Sequence, residues 1–176
     1  INNIILNFLP KLEKLNLNNN KLIEIENRAF EKLINLEILT LDSNRIKSLD
    51  GKLFENLNNL RILELKNNQI SKIDQKSFRN LTKLILLNLE NNCIFQLDKS
   101  LLVSNNQLTY LNLAKNVLRK IKLFNFENLF SLKSLNLSYN NITEIEDGSF
   151  NNLKNLEELS LRFNGLKDLN ANIFKN

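Results

Sequence analysis

A chain of 176 residues that is 43% hydrophobic and 24% charged has the size and balance of one globular domain. Its longest apolar runs, such as Leu84 to Leu87, stop at four residues where a transmembrane helix needs about 20, so no membrane insertion by this segment is expected. The net charge is +5, and with no His and one Cys, Cys93, the chain lacks His-based acid–base chemistry, a Cys–His nucleophile pair and a zinc site of the usual Cys/His kind.

Along the chain, residues 1–11 read as a partial unit in which Ile1, Leu6 and Leu9 take core positions. A full unit begins at Leu12 and recurs at Leu36, Leu60, Leu84, Leu108, Leu132 and Leu156, without insertion or deletion over seven units of 24 residues. Each unit opens with an L-x-x-L-x-L stretch, as in Leu12, Leu15 and Leu17. Its alternation of apolar and polar residues predicts a short strand with the leucines turned inward, and stacking of units predicts a parallel sheet. An Asn follows at the ninth position of every unit: Asn20, Asn44, Asn68, Asn92, Asn116, Asn140 and Asn164. With only three Gly and one Pro against 35 Asn, asparagine must serve the turns, its amide pairing with backbone groups that would otherwise cost about 1 to 3 kcal/mol each if buried unpaired.

Further on, Phe30, Phe54, Phe78, Phe126, Phe150 and Phe174 share one position and predict an aromatic column under the outer wall, with Leu102 in the fourth unit. That unit also carries Asn105 where a leucine is usual, so looser packing is expected over 99–107. One unit offers about eight core side chains worth roughly 1.5 to 3 kcal/mol each. Ordering its backbone costs about as much, at roughly 1 to 2 kcal/mol per residue, so a unit is stable only between neighbours.

The pattern carried by Leu12, Leu15, Leu17, Asn20, Leu22, Ile25, Phe30 and Leu33 resembles a leucine-rich repeat. The resemblance implies an α/β solenoid, or horseshoe, with a parallel β-sheet on its concave face, forming one domain over 1–176. Both termini fall inside a repeat, so a piece of a longer solenoid is expected, with possible self-association through uncapped ends. The 24-residue unit with Phe is similar to the "typical" subclass found in Toll-type receptor ectodomains, Slit-type guidance proteins and insect immune proteins. That implies an extracellular or cell-surface recognition module of innate immunity, receptor or adhesion type, and the alternative is a cytoplasmic scaffold or adaptor.

Strand positions that alternate with the core leucines should face a ligand. The third position of each unit reads Lys14, Ile38, Ile62, Leu86, Tyr110, Ser134 and Glu158, so four adjacent units present an apolar stripe, widened by Ile85. Glu64 lies on its rim with Glu37, Arg61, Lys66 and Lys133, and Tyr139 and Phe163 add aromatics on the turn side. An apolar centre with a polar rim is the anatomy of a protein interface. Ile38, Ile62, Leu86, Tyr110, Ile85, Glu64, Tyr139 and Phe163 are therefore the candidate ligand-binding residues for a protein ligand, beside the simpler reading that such residues merely suit strands.

The excess positive charge sits in the third and fifth units and draws no continuous basic stripe, so nucleic acid is not expected as a partner. Lys72, Lys76, Arg79, Lys83, Arg119, Lys120 and Lys122 are the candidates should a polyanion bind. Carboxylate pairs such as Glu157–Glu158 read as surface charge, and no enzyme activity, cofactor or metal is expected. Cys93 is either an incidental thiol or one half of an intermolecular disulfide. The sequons at Asn80, Asn136 and Asn141 number about what chance allows in so Asn-rich a chain. In a secreted protein Asn80 and Asn141 would carry glycans, while Asn136 lies in a strand.

Overall fold

A computed structural model of the chain describes Leu6 and residues 8–175; Ile1, a predicted core residue, lies outside them. In chain order the strands are β1 (Lys14–Asn16), β2 (Ile38–Thr40), β3 (Ser48–Leu49), β4 (Ile62–Glu64), β5 (Lys72–Ile73), β6 (Leu86–Asn88), β7 (Tyr110–Asn112), β8 (Lys120–Ile121), β9 (Ser134–Asn136), β10 (Glu144–Ile145) and β11 (Glu158–Ser160). Seven of them form one parallel sheet in the order β1-β2-β4-β6-β7-β9-β11, one strand per 24-residue unit. Every pairing joins equivalent residues of neighbouring units, as Leu39 with Leu63 and Leu63 with Leu87. The expected solenoid is what forms, because a repeat of constant length returns the chain to the same register at every turn.

Behind the sheet, the leucines of each unit close a continuous core in which Leu39, Leu63, Leu87 and Leu111 have no exposed surface. The chain leaves each strand through a residue in the left-handed conformation: Asn19, Ser43, Asn67, Asn91, Lys115, Tyr139 and Phe163, with φ between 54° and 57°. The ladder asparagine follows and ties its own turn to the preceding one. Asn68 donates from Nδ2 to the carbonyls of Leu41 (3.0 Å) and Leu65 (3.1 Å), and its Oδ1 accepts from the Ile46 amide at 3.0 Å. Asn92 repeats this with Leu65, Leu89 and Ile70. Each of these carbonyls therefore serves two asparagines, one from its own turn and one from the next.

The outer wall is built from turns, with the small parallel pairs β3–β5 and β8–β10 beside it. A second set of asparagines stitches this wall, reaching back one turn: Asn59 to Ile34 O (2.9 Å), Asn80 to Glu55 O (2.8 Å), Asn152 to Glu127 O (2.8 Å) and Asn155 to Phe130 O (2.7 Å). The aromatic column exists in two segments. Phe30, Phe54 and Phe78 stack with centroids 6.2 and 6.3 Å apart, and Phe126 stacks on Phe150 at 6.0 Å.

Leu102 separates the two segments, yet the looser packing expected over 99–107 does not occur. Leu101, Leu102 and Asn105 are buried, and Asn105 donates to the carbonyls of Phe78 (3.0 Å) and Leu81 (2.9 Å). The polar side chain at this position replaces leucine packing by two buried hydrogen bonds, which fasten the fourth turn to the third.

Candidate functional site

Within each sheet strand the middle residue enters the core, so its two neighbours face the concave side. The in-register pairing sets Ile38, Ile62, Leu86 and Tyr110 in one line across four strands. All four are half-buried, because each shades the next. Together with Ile85, Thr109 and the Glu37 and Arg61 side chains they line a depression of about 260 Å³. Glu37 and Arg61 close one rim as a loose ion pair at 3.9 Å.

Two residues further along the strands runs a polar row, Thr40, Glu64, Asn88 and Asn112, and beyond it stand Asp42, Lys66 and Glu90. Glu90 collects the cations: Lys115 lies at 2.8 Å, Lys66 at 3.5 Å, and Asn112 donates at 3.2 Å. Burial pushes the Glu90 carboxyl up, but the Lys115 hydrogen bond and the charge of Lys66 outweigh it and hold the group below the usual range. Glu64 and Asp42 go the other way. Burial raises both above the ordinary carboxylate value; Asn88 offsets it for Glu64 only in part, and the nearby Asp42 charge pushes Glu64 further up. One Glu64 oxygen, Oε2, and the Thr40 hydroxyl are buried without a hydrogen-bond partner.

At the far end of the same face, Tyr139 and Phe163 stack with centroids 4.3 Å apart while remaining 48% and 60% exposed. The Arg162 guanidinium lies 5.3 Å from the Phe163 ring centre. Both rings stand on left-handed backbone, a conformation that costs a non-glycine residue on the order of 1 to 2 kcal/mol. Stacking offsets part of that cost, and the exposed position leaves ring surface available to a planar group.

The predicted residues thus fall into two places. Ile38, Ile62, Ile85, Leu86 and Tyr110 converge on the depression with Glu64 beside it, and Tyr139 and Phe163 form a separate edge. Thr40 shares the outward fifth strand position with Glu64, whereas Asp42, Glu90 and Arg162 are not singled out by the sequence. The 24-residue register would have aligned them on the same face, but the distribution of cations between three carboxylates depends on side-chain reach. A larger cleft of about 540 Å³ lies beside the outer wall between β3, β5 and Phe95. Its aspartates Asp50, Asp74 and Asp98 are occupied in accepting turn amides from Lys52, Lys76 and Ser100.

Of the basic candidates, Lys120 is bound to Glu144 (2.8 Å) and Glu146 (2.9 Å), and Lys83 donates to Asn59 at 2.8 Å. Cys93 is exposed. Asn80 and Asn141 are both exposed, but the Asn80 amide nitrogen already donates to the Glu55 carbonyl. No helix of the described residues is long and apolar enough to cross a membrane.

Comparison with known proteins gives one family, described as Leucine rich repeat, matching residues 2–44, 34–94, 58–118, 106–166 and 130–176. No curated protein matches the chain. Among solved structures, a chain of the TLR13–ssRNA13 complex is 35% identical and superposes with a TM-score of 0.91, covering 97% of this chain and 24% of that one. The leucine-rich repeat protein LIC12759 of Leptospira interrogans is 29% identical with a TM-score of 0.84, over 96% of this chain and 41% of that one. The Toll–Spatzle complex of Drosophila shares the fold at 21% identity and a TM-score of 0.75, over 92% of this chain and 25% of that one. This chain therefore spans about a quarter of the length of the two Toll-type chains.

These findings correct one expectation. Nucleic acid was set aside for want of a continuous basic stripe, yet a solenoid 35% identical to this one is seen in a complex named for a single-stranded RNA. The physical reason is that single strands are also held by stacking on aromatic faces near scattered cations, which a count of charges does not register.

Proposed function

Since the chain belongs to the leucine-rich repeat family, we propose that it is a non-catalytic recognition module of extracellular or cell-surface type that binds a protein ligand on its concave face. The observation that carries this reading is the line of Ile38, Ile62, Leu86 and Tyr110, which forms one apolar depression with a charged rim. Such a centre gains most from being dried by a partner, so binding energy should concentrate there. Ile62→Lys or Tyr110→Lys is expected to cost at least about 2 kcal/mol of affinity for a protein ligand, with the circular dichroism spectrum unchanged. Lys76→Glu on the outer wall should leave that affinity as it was; a loss in Lys76→Glu alone would refute the concave-face reading.

The Tyr139–Phe163 edge supports a second reading, a single-stranded nucleic acid ligand. Its rings, with the Arg162 guanidinium beside Phe163, offer stacking surface and positive charge. A labelled single-stranded oligonucleotide should then bind in a salt-dependent way and lose about 1 to 3 kcal/mol on Phe163→Ala. Retention of full affinity would reject this edge as the platform.

The likeness to the TLR13 chain, at 35% identity, supports the extracellular setting. For a secreted product, Asn141 is the better placed glycan acceptor, since the Asn80 nitrogen is engaged. Glycosidase treatment of the exported protein should shift its mobility, and Asn141→Gln should reduce that shift; an Asn141→Gln product that shifts as the parent does would show the site unused.

A further inference from the structure

We infer that the concave site takes a protein segment presenting a Lys or Arg side chain next to an apolar one, the apolar group entering the Ile62 depression and the cation lying over Glu64, Asp42 and Thr40. The inference rests on the concave-face reading and goes beyond it by assigning the chemistry of the partner.

Three carboxylates and two cations share this part of the face, and the cations are unequally divided. Lys115 and Lys66 both bind Glu90, so neither Glu64 nor Asp42 has an ion pair. Asp42 spends one oxygen on the Lys66 amide at 2.7 Å. Glu64 Oε2 and Thr40 Oγ1 stand on register-paired residues of β4 and β2, and both lack a hydrogen-bond partner. The free Glu64 oxygen and the Thr40 hydroxyl, on residues paired in register, suit an ammonium or guanidinium group, which donates to both. Glu64 is half-buried and its free oxygen is covered in the unliganded protein, so a ligand cation has to turn the side chain to reach it.

Spacing links the two halves of the site. Ile62 and Glu64 are i and i+2 on one strand, so their side chains emerge on the same face about 7 Å apart. An extended partner segment with an apolar residue and a basic residue at i and i+2 has the same spacing. The site is also kept at a cost that the nearby Lys66 charge offsets only in part and that a ligand cation lowers further. Burial holds Glu64 and Asp42 above the ordinary carboxylate value, so in the free protein their ionised forms destabilise the fold. The sign follows: the folded state binds protons more tightly than the unfolded one, and this contribution to stability is lost as pH rises through the carboxylate range. The groups acting on Glu64 are the Asn88 amide, Asp42 and Lys66, while Lys66 also reaches Glu90, which Lys115 holds from the other side. A ligand cation lowers both raised groups, so binding should tighten as pH rises through the same range.

The test is calorimetric titration of the whole chain with the capped peptide Ser-Leu-Ser-Arg-Ser-Leu-Ser and with its citrulline analogue, which keeps the shape of Arg without the charge. The Arg peptide should bind at least about tenfold more tightly than the citrulline one, and more tightly at about pH 7 than at about pH 4. Glu64→Gln should abolish this preference while raising the melting temperature of the free protein. Equal binding of the two peptides, or no measurable binding of either, overturns the assignment of the cation. So does a Glu64→Gln variant that melts below the parent, because the carboxylate would then be compensated already. Ile62→Lys separates the two levels: loss of binding by both peptides with equal affinities in the parent leaves the concave site standing without its cation, and unchanged binding removes both readings.

Discussion

Phe78→Ala is expected to destabilise the protein by about 3 to 5 kcal/mol. Phe78 has no exposed surface and stacks on Phe54 at 6.3 Å, while the next turn offers Leu102 and no ring. It therefore ends the first aromatic segment, and truncation opens a cavity that the neighbouring turns cannot fill without moving along the solenoid axis. Because a solenoid gains stability from contacts between adjacent turns, the loss should fall on the junction of the third and fourth turns. Urea unfolding followed by circular dichroism should show a lower midpoint, and the single transition should broaden or split. A loss below about 1 kcal/mol would mean that the column is not a unit of stability.

Asn68→Leu is the second large effect, expected at about 1 to 3 kcal/mol. The Leu41 and Leu65 carbonyls keep a second asparagine each, Asn44 and Asn92, so they are weakened rather than abandoned. The Ile46 amide is different: its acceptor is Asn68 Oδ1, and it becomes a buried donor without a partner. Asn20 has only the carbonyls of Leu17 and Asn18, lies exposed and holds no preceding turn among the described residues. Asn20→Leu should thus cost clearly less than Asn68→Leu in the same denaturation experiment. Equal costs would place the ladder's contribution within each turn rather than between turns.

The candidate site was legible where it depends on register and hidden where it depends on side-chain geometry. Ile38, Ile62, Leu86 and Tyr110 could be aligned by counting because a 24-residue period carries each strand position onto its neighbour. That Lys66 and Lys115 both turn to Glu90, leaving Glu64 unpaired, could not be counted, since long side chains choose among several carboxylates within reach. Tyr139 and Phe163 were visible as neighbours at one position, but their stacking at 4.3 Å on left-handed backbone was not. Asn105 shows the reverse error. A polar residue at a leucine position suggested loose packing, and the two carbonyls that make it a fastener belong to the preceding turn.

By itself the sequence determined the solenoid, its period, the parallel in-register sheet and the side of each strand that faces outward. All of these follow from a local rule repeated without interruption, in which leucine spacing sets what is buried and asparagine sets where the chain turns. Only the tertiary structure decided how the turns are fastened, through asparagine bonds spanning one turn on both the inner and the outer wall. It also decided which charges on the concave face are spent and which are free. Those features depend on distances between residues about one period apart, and a hydrogen bond or an ion pair is made or lost within less than 1 Å, far finer than any spacing rule along the chain.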